Sequence, residues 1–92
     1  MWVLTTYHYK SVMTKDDMVD VLEIYGTFGT APGVREHYEF VDGTGGFFFA
    51  EVEDAFHFYK SLLPYAPFMR FETKWVIPVE DAAKAVMELV DV

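Results

Sequence analysis

The chain contains no cysteine among its 92 residues. A disulfide framework, a thiol nucleophile and a zinc site built on thiolates are therefore excluded. Basic residues are also scarce, since seven Lys and Arg face fifteen Asp and Glu and the net charge is -8 at pH 7. Because phosphate binding needs a patch of Lys or Arg, this composition predicts no nucleic-acid partner, and it disfavours anionic membrane surfaces for the same reason.

Long apolar runs are missing too. No segment is long enough to span a bilayer, and the start Met1-Trp2-Val3-Leu4 has neither a basic flank nor a small-residue cleavage site. We therefore expect a cytoplasmic protein with no membrane partner. The 52% hydrophobic and 18% aromatic content is typical of a folded protein, and the length predicts one domain over residues 1–92.

Aromatic and β-branched residues, which suit a pleated surface, are concentrated in four segments that we predict to be strands. The two middle segments are separated by Asp42-Gly43-Thr44-Gly45-Gly46, a typical turn composition, so they should form an antiparallel hairpin. The predicted strands cover residues 2–10, 34–41, 47–52 and 68–77.

Three segments have the apolar spacing of helices. Thr14 reads as the N-cap of the first, whose stripe of Met18, Val21, Leu22 and Tyr25 should end at Gly26. Asp54 should cap a second helix, which continues until the prolines at 64 and 67. A third helix is predicted over residues 78–90.

The order strand, helix, strand, strand, helix, strand is that of the α+β ferredoxin-like fold, here with an extra C-terminal helix and a four-stranded antiparallel sheet. Right-handed crossovers place the two main helices on one face of that sheet. Yet the run Phe47-Phe48-Phe49-Ala50 is apolar on both faces. A chain this short cannot cover both, so the pattern predicts that a second copy closes the other face and forms a homodimeric α/β barrel.

Three motifs carry a resemblance to a known group of proteins. They are Pro32-Gly33-Val34, the stretch Gly45-Gly46-Phe47-Phe48-Phe49-Ala50-Glu51 followed by Glu53-Asp54-Ala55, and Phe71-Glu72 leading into Ile77-Pro78-Val79. The chain resembles a family of short, functionally uncharacterised bacterial and viral proteins in the dimeric α/β-barrel superfamily. These motifs are specific for a fold and not for a reaction.

The same superfamily includes the antibiotic biosynthesis monooxygenases, which the chain resembles at Phe49, Glu51 and Asp54. That resemblance implies oxidation of an aromatic polyketide without metal or flavin. Those enzymes typically carry a Trp two residues after the Glu, where this chain has Glu53. The haem-degrading members hold iron through a His near the end of the second helix, and residues 63–68 here contain none, so no cofactor is expected.

Among the ionisable residues, His8 stands out because it lies between Tyr7 and Tyr9 and could act as a general base near neutral pH. The alternative is a partly buried histidine bonded to a backbone carbonyl. Glu51 is a second candidate base if it is buried without a partner. It could equally pair with a basic residue such as Arg35 or Lys74, or be exposed at the strand end.

Aromatic residues suggest a binding pocket. Tyr38, Phe49 and Trp75 could line it, with Tyr7, Tyr38 or Trp75 orienting a substrate, or the three could simply fill the barrel.

His37 and Glu39 lie two residues apart, and together with His8 they could supply three metal ligands. Polar surface is the commoner meaning of such a pair, and we predict no metal site.

Three functions remain open at this point. The first is a homodimer that binds a small apolar or aromatic metabolite. The second is a cofactor-independent monooxygenase, cyclase or isomerase on an aromatic or polyketide-like substrate, with His8 as base. The third is a protein-interaction domain that uses its exposed second strand or its loops.

Overall fold

A computed structural model describes residues 1–91 and confirms the predicted order of elements. The chain has the ferredoxin-like α+β fold with an added C-terminal helix. The strands are β1 (Trp2–Tyr9), β2 (Val34–Glu39), β3 (Gly45–Glu51) and β4 (Met69–Val76), and the helices are α1 (Lys15–Phe28), α2 (Ala55–Leu62) and α3 (Val79–Val90). A short 3-10 turn, Leu63–Tyr65, follows α2.

The four strands form one antiparallel sheet in the order β2-β3-β1-β4. Residues paired across strands point to the same side of a sheet, so the register assigns every strand residue to a face. The helix-facing face contains Phe48, whose ring contacts Phe58 of α2 at 6.2 Å between centroids. It also carries Val3, Thr5 and Tyr7 of β1. The opposite face is called the open face below.

The first helix extends beyond its predicted end. Thr14 caps α1 as expected, and the Asp17 side chain completes a capping box with the Thr14 backbone. The prediction that Gly26 stops the helix was wrong, since α1 continues to Phe28 and Gly29 caps it with φ 70°. A single glycine in a helix costs only about 1 kcal/mol relative to alanine, which the flanking turns can offset. Gly29 can end the helix because glycine, which has no Cβ, adopts a positive φ without a steric penalty.

A bulge changes the faces of β2. Val34 pairs with Ala50 and Glu36 pairs with Phe49, so Arg35 is the extra residue between them. Simple alternation along residues 34–41 would place Val34 on the same face as Glu36 and Tyr38, and the bulge shows that this expectation is wrong. Val34 packs against the core on the helix-facing side, because the additional residue reverses the alternation.

The core is small and belongs mainly to the sheet. Thr5 is completely buried, and its hydroxyl is bonded to that of Thr73 at 2.8 Å. None of the three helices contributes a buried residue, so α1 covers the sheet loosely and space remains beneath it. The buried apolar residues are Val3, Tyr7, Ala31, Phe48, Ala50 and Val52.

The open face and α3 expose apolar groups to solvent. On the open face, Trp2 stacks on Phe49 with 4.8 Å between ring centroids. In α3, five apolar residues are each more than half exposed: Val79, Val86, Met87, Leu89 and Val90. The radius of gyration is 16.4 Å, whereas a compact chain of this length has about 12 Å. None of the helices in the described residues is long and apolar enough to cross a membrane.

Candidate ligand-binding site

A cavity of about 90 Å³ lies between the helix-facing side of the sheet and helix α1. Helix α1 has no buried residue, and its half-buried Val21 lines the cavity. The loop after α1 and the residues at the end of α2 close its sides. Its apolar wall consists of Val21, Ala31, Phe48, Leu62, Met69 and Phe71.

Four polar side chains form one end of this cavity: Tyr7, Tyr9, His37 and Glu39. We call them the tyrosine–glutamate cluster. The register places Tyr7, Gly46 and Glu39 in one row across β1, β3 and β2. Since Gly46 has no side chain, the Tyr7 ring can extend over the middle strand and reach Glu39 on the far side.

The hydrogen bonds of the cluster converge on one carboxylate. The Tyr7 hydroxyl donates to Glu39 Oε1. The Tyr9 hydroxyl lies 2.9 Å from Oε1 and 3.0 Å from Oε2 of the same residue. His37 Nε2 is 2.7 Å from the Tyr7 oxygen, and because the single Tyr7 proton goes to Glu39, this nitrogen must be the donor.

Both phenols of the cluster are held in their neutral form. Burial raises the pKa of Tyr7 far above its usual value, and the hydrogen bond and negative charge of Glu39 raise it further. Burial, followed by the bond to Glu39, raises the pKa of Tyr9 to about 12. The two hydroxyl groups therefore remain donors to Glu39 throughout the physiological pH range.

These raised pKa values predict a loss of stability in alkali. An unfolded tyrosine ionises near pH 10, whereas Tyr7 and Tyr9 stay neutral in the folded chain, so the unfolded state gains stability as pH rises above 10. The free energy of unfolding should be nearly independent of these groups below pH 9. Above pH 10 it should fall by up to about 1.4 kcal/mol per pH unit for each tyrosine. Urea unfolding at pH 8, 10 and 11 measures this slope.

Tyr7→Phe should flatten the alkaline slope, and Tyr59→Phe is the matched control because Tyr59 is 64% exposed. Equal slopes in the wild type and in Tyr7→Phe would contradict this assignment.

The structure separates the residues that the sequence suggested as a site. Tyr7 lies in the cluster, but His8 points to the open face, beside a groove of about 360 Å³ that also touches Lys10 and Arg70. Tyr38 is 55% exposed on the open face, where its ring contacts Phe47. His8 and Tyr38 therefore do not line the cavity beside Tyr7.

The remaining candidates are also apart. Glu51 is exposed and its carboxylate lies 3.6 Å from the Arg35 guanidinium, so it is not buried without a partner. Phe49 packs on Trp2 on the open face. Trp75 is on the helix-facing side but 76% exposed, beyond the cover of the helices, so an aromatic pocket of Tyr38, Phe49 and Trp75 is not formed.

The sequence analysis missed Tyr9, and it considered His37 and Glu39 only as polar surface or metal ligands. Their two-residue spacing on β2 was visible, but the row that joins them to Tyr7 depends on strand pairing. His8 faces away from this pair, so the three possible ligands do not meet. Within residues 1–91, no group of three or more His, Asp or Glu side chains is positioned to hold a metal ion.

Comparison with known proteins identifies a family and no activity. The family model described as "Domain of unknown function (DUF3303)" matches residues 1–90. No curated protein matches the chain in sequence.

Proposed function

Since the chain belongs to the DUF3303 family, a domain of unknown function, we propose a function from the geometry of the cavity: it binds one small, mainly apolar molecule against the sheet. The observation that carries this proposal is the combination, in one lining, of an apolar wall with the hydrogen-bonded tyrosine–glutamate cluster. Small-molecule sites commonly have this composition, in which apolar walls provide affinity and a few polar groups fix orientation.

The size of the cavity limits the ligand. Its volume of about 90 Å³ is below the range of about 300–1,000 Å³ typical of sites for drug-sized molecules. A single aromatic ring or a short aliphatic chain is the appropriate size. Tyr25, His37 and Glu39 line the cavity and are exposed, so a ligand can enter beside them without unfolding the sheet.

Filling the cavity should weaken ligand binding. Val21→Phe adds an aromatic ring to the wall that α1 provides, and we expect at least a tenfold loss of affinity for single-ring ligands. Val19→Phe is the matched control, since Val19 lies on the same helix, is 44% exposed and does not line the cavity. Binding of a panel of single-ring compounds, measured by protein-observed NMR, tests the proposal.

Shifts confined to the cavity residues in the wild type, and their loss only in Val21→Phe, are the expected result. Equal binding by both variants, or no binding by the wild type at millimolar ligand, would refute the cavity as a ligand site.

We also propose that the functional unit is a homodimer. The chain exposes 6945 Å², whereas a folded monomer of 10.6 kDa exposes about 5,500 Å². The excess of about 1,500 Å² exceeds the roughly 800 Å² per partner that a standard interface buries. We propose that a second copy of the chain covers this excess exposed surface. Each copy carries both the apolar open face and α3, so the two surfaces can complement each other about a two-fold axis.

The residue pattern of α3 supports the same conclusion. Val79, Ala82, Ala83, Val86 and Val90 follow the spacing i, i+3, i+4, i+7 and i+11, which produces one apolar stripe. Apart from half-buried Ala82, this stripe is exposed to solvent. An amphipathic helix gains most of its stability from packing that stripe, so α3 needs a surface outside its own subunit.

Proton transfer is the second candidate function. Among the monooxygenase, cyclase and isomerase activities, the tyrosine–glutamate cluster favours one that begins by removing a proton from the ligand. The donors run from His37 through Tyr7 to the Glu39 carboxylate, which borders the cavity. A base at this position could take a proton from a bound ligand, and His37 is exposed to solvent at the other end of the chain of hydrogen bonds. Glu39 would then be the base for a bound ligand, since His8 faces the other side of the sheet.

A further inference from the structure

We infer that the cavity selects a ligand carrying a protonated amino group, an ammonium on a small apolar body. This inference rests on the proposed function and names the chemistry of its polar end. It follows from three observations on the tyrosine–glutamate cluster and its surroundings, namely the unused hydrogen-bonding capacity, the charge and the aromatic rings.

The hydrogen-bonding capacity that the cluster leaves unused is that of an acceptor. The hydroxyl protons of Tyr7 and Tyr9 are both directed to Glu39, and His37 Nε2 donates to Tyr7. These donors are therefore occupied. A carboxylate accepts about four hydrogen bonds, and Glu39 Oε2 receives only the longer contact from Tyr9, so it retains free lone pairs. A ligand that bonds to this carboxylate must be a donor.

The charge at the cavity is negative. Its lining contains no Lys or Arg, and Glu39 contributes its one carboxylate side chain. An ammonium would gain a charge-assisted hydrogen bond there, whereas a carboxylate or phosphate would meet a like charge. The net charge of -8 for the whole chain has the same sign.

Several aromatic residues line the same cavity as Glu39. Tyr7 lies edge-on to Tyr9 at 5.9 Å and tilted to Phe71 at 6.2 Å between centroids, and Tyr25 and Tyr65 line the same cavity. Aromatic faces attract cations. The arrangement of one carboxylate and several rings is thus suited to an organic cation.

Three probes of nearly equal shape test the inference, namely benzylamine, benzyl alcohol and benzoate, each titrated into the full-length chain at pH 7. Protein-observed NMR measures the dissociation constants. Benzylamine should bind at least tenfold more tightly than benzyl alcohol, and benzoate should bind more weakly than either. Nα-acetyl-lysine amide is a fourth probe, because a lysine side chain carries the same ammonium on an aliphatic stem.

Glu39→Gln should remove the preference, reducing the affinity for benzylamine at least tenfold while changing that for benzyl alcohol little. Glu36→Gln is the matched control, because it removes the same charge from β2 on the open face. If benzylamine and benzyl alcohol bind equally, or Glu36→Gln has the same effect as Glu39→Gln, the ammonium assignment is overturned while the cavity remains a ligand site.

If none of the probes shifts the cavity residues, the ammonium assignment is overturned. Absence of binding across the single-ring panel as well would refute the ligand site itself. If Nα-acetyl-lysine amide binds more tightly than benzylamine, the ammonium does not come from a free small molecule. The site would then be assigned to a lysine side chain of another protein.

Discussion

Replacing Val86 and Val90 together by lysine should convert the dimer that we propose into a monomer. Both side chains lie in the apolar stripe of α3 and are 59% and 74% exposed within the subunit, so their loss removes no contact from the core of one copy. Burial of a valine contributes about 1.5 kcal/mol or more, and a two-fold interface contains each residue twice. We expect the dimer dissociation constant to rise at least 100-fold in sedimentation equilibrium.

Lysine is the informative replacement because the chain is acidic. Two added positive charges reduce the repulsion between subunits, so dissociation of this variant would report lost apolar contact and not added repulsion. Asp81→Lys with Glu88→Lys, on the polar side of α3, is the control and should remain dimeric. A wild-type chain that sediments as a monomer at micromolar concentration would contradict the proposed homodimer.

Gly46→Ala should destabilise the chain by about 3 kcal/mol and dismantle the polar end of the cavity. A Cβ atom at this position would overlap the backbone oxygen of Tyr38 and the hydroxyl of Tyr7. The Tyr38 oxygen is held in the sheet, so β2 and β3 must separate or the Tyr7 ring must leave its place beside Glu39. Urea unfolding measures the first effect, and the chemical shifts of the Tyr7 ring measure the second.

Gly43→Ala is the control for this substitution. Gly43 has φ 77°, but a Cβ there meets nothing within 4 Å, so only the backbone conformation opposes the change. The expected cost is about 1 kcal/mol, with the cavity unchanged. If Gly46→Ala and Gly43→Ala reduce stability equally, the close approach of Tyr7 and the Tyr38 backbone to Gly46 does not determine the shape of the site.

The order of the elements was predictable because it depends on local patterns. Apolar spacing identified all three helices, the caps at Thr14 and Asp54 marked two of their starts, and the turn at residues 42–46 identified the hairpin. The boundary error at Gly26 arose where a local preference was overridden by the turns beside it.

The site was much less predictable than the fold. Tyr7 was named as a ligand residue, but its partners His37 and Glu39 are 30 and 32 residues away in the chain. Their meeting depends on the pairing of β1 with β3 and of β3 with β2, and on the absence of a side chain at Gly46. The bulge at Arg35 likewise changed the face on which Val34 lies. No local sequence pattern predicted this bulge.

Hydrophobic spacing, capping residues and turn residues act over a few neighbouring positions, so they were enough to predict the ferredoxin-like order of strands and helices. Which side chains share a cavity depends instead on strand pairing between distant parts of the chain. A face assignment depends on register and bulges, and a single inserted residue reverses it. For this reason Tyr7 and Glu39 lie together on one side of the sheet, while His8, the immediate neighbour of Tyr7, lies on the other.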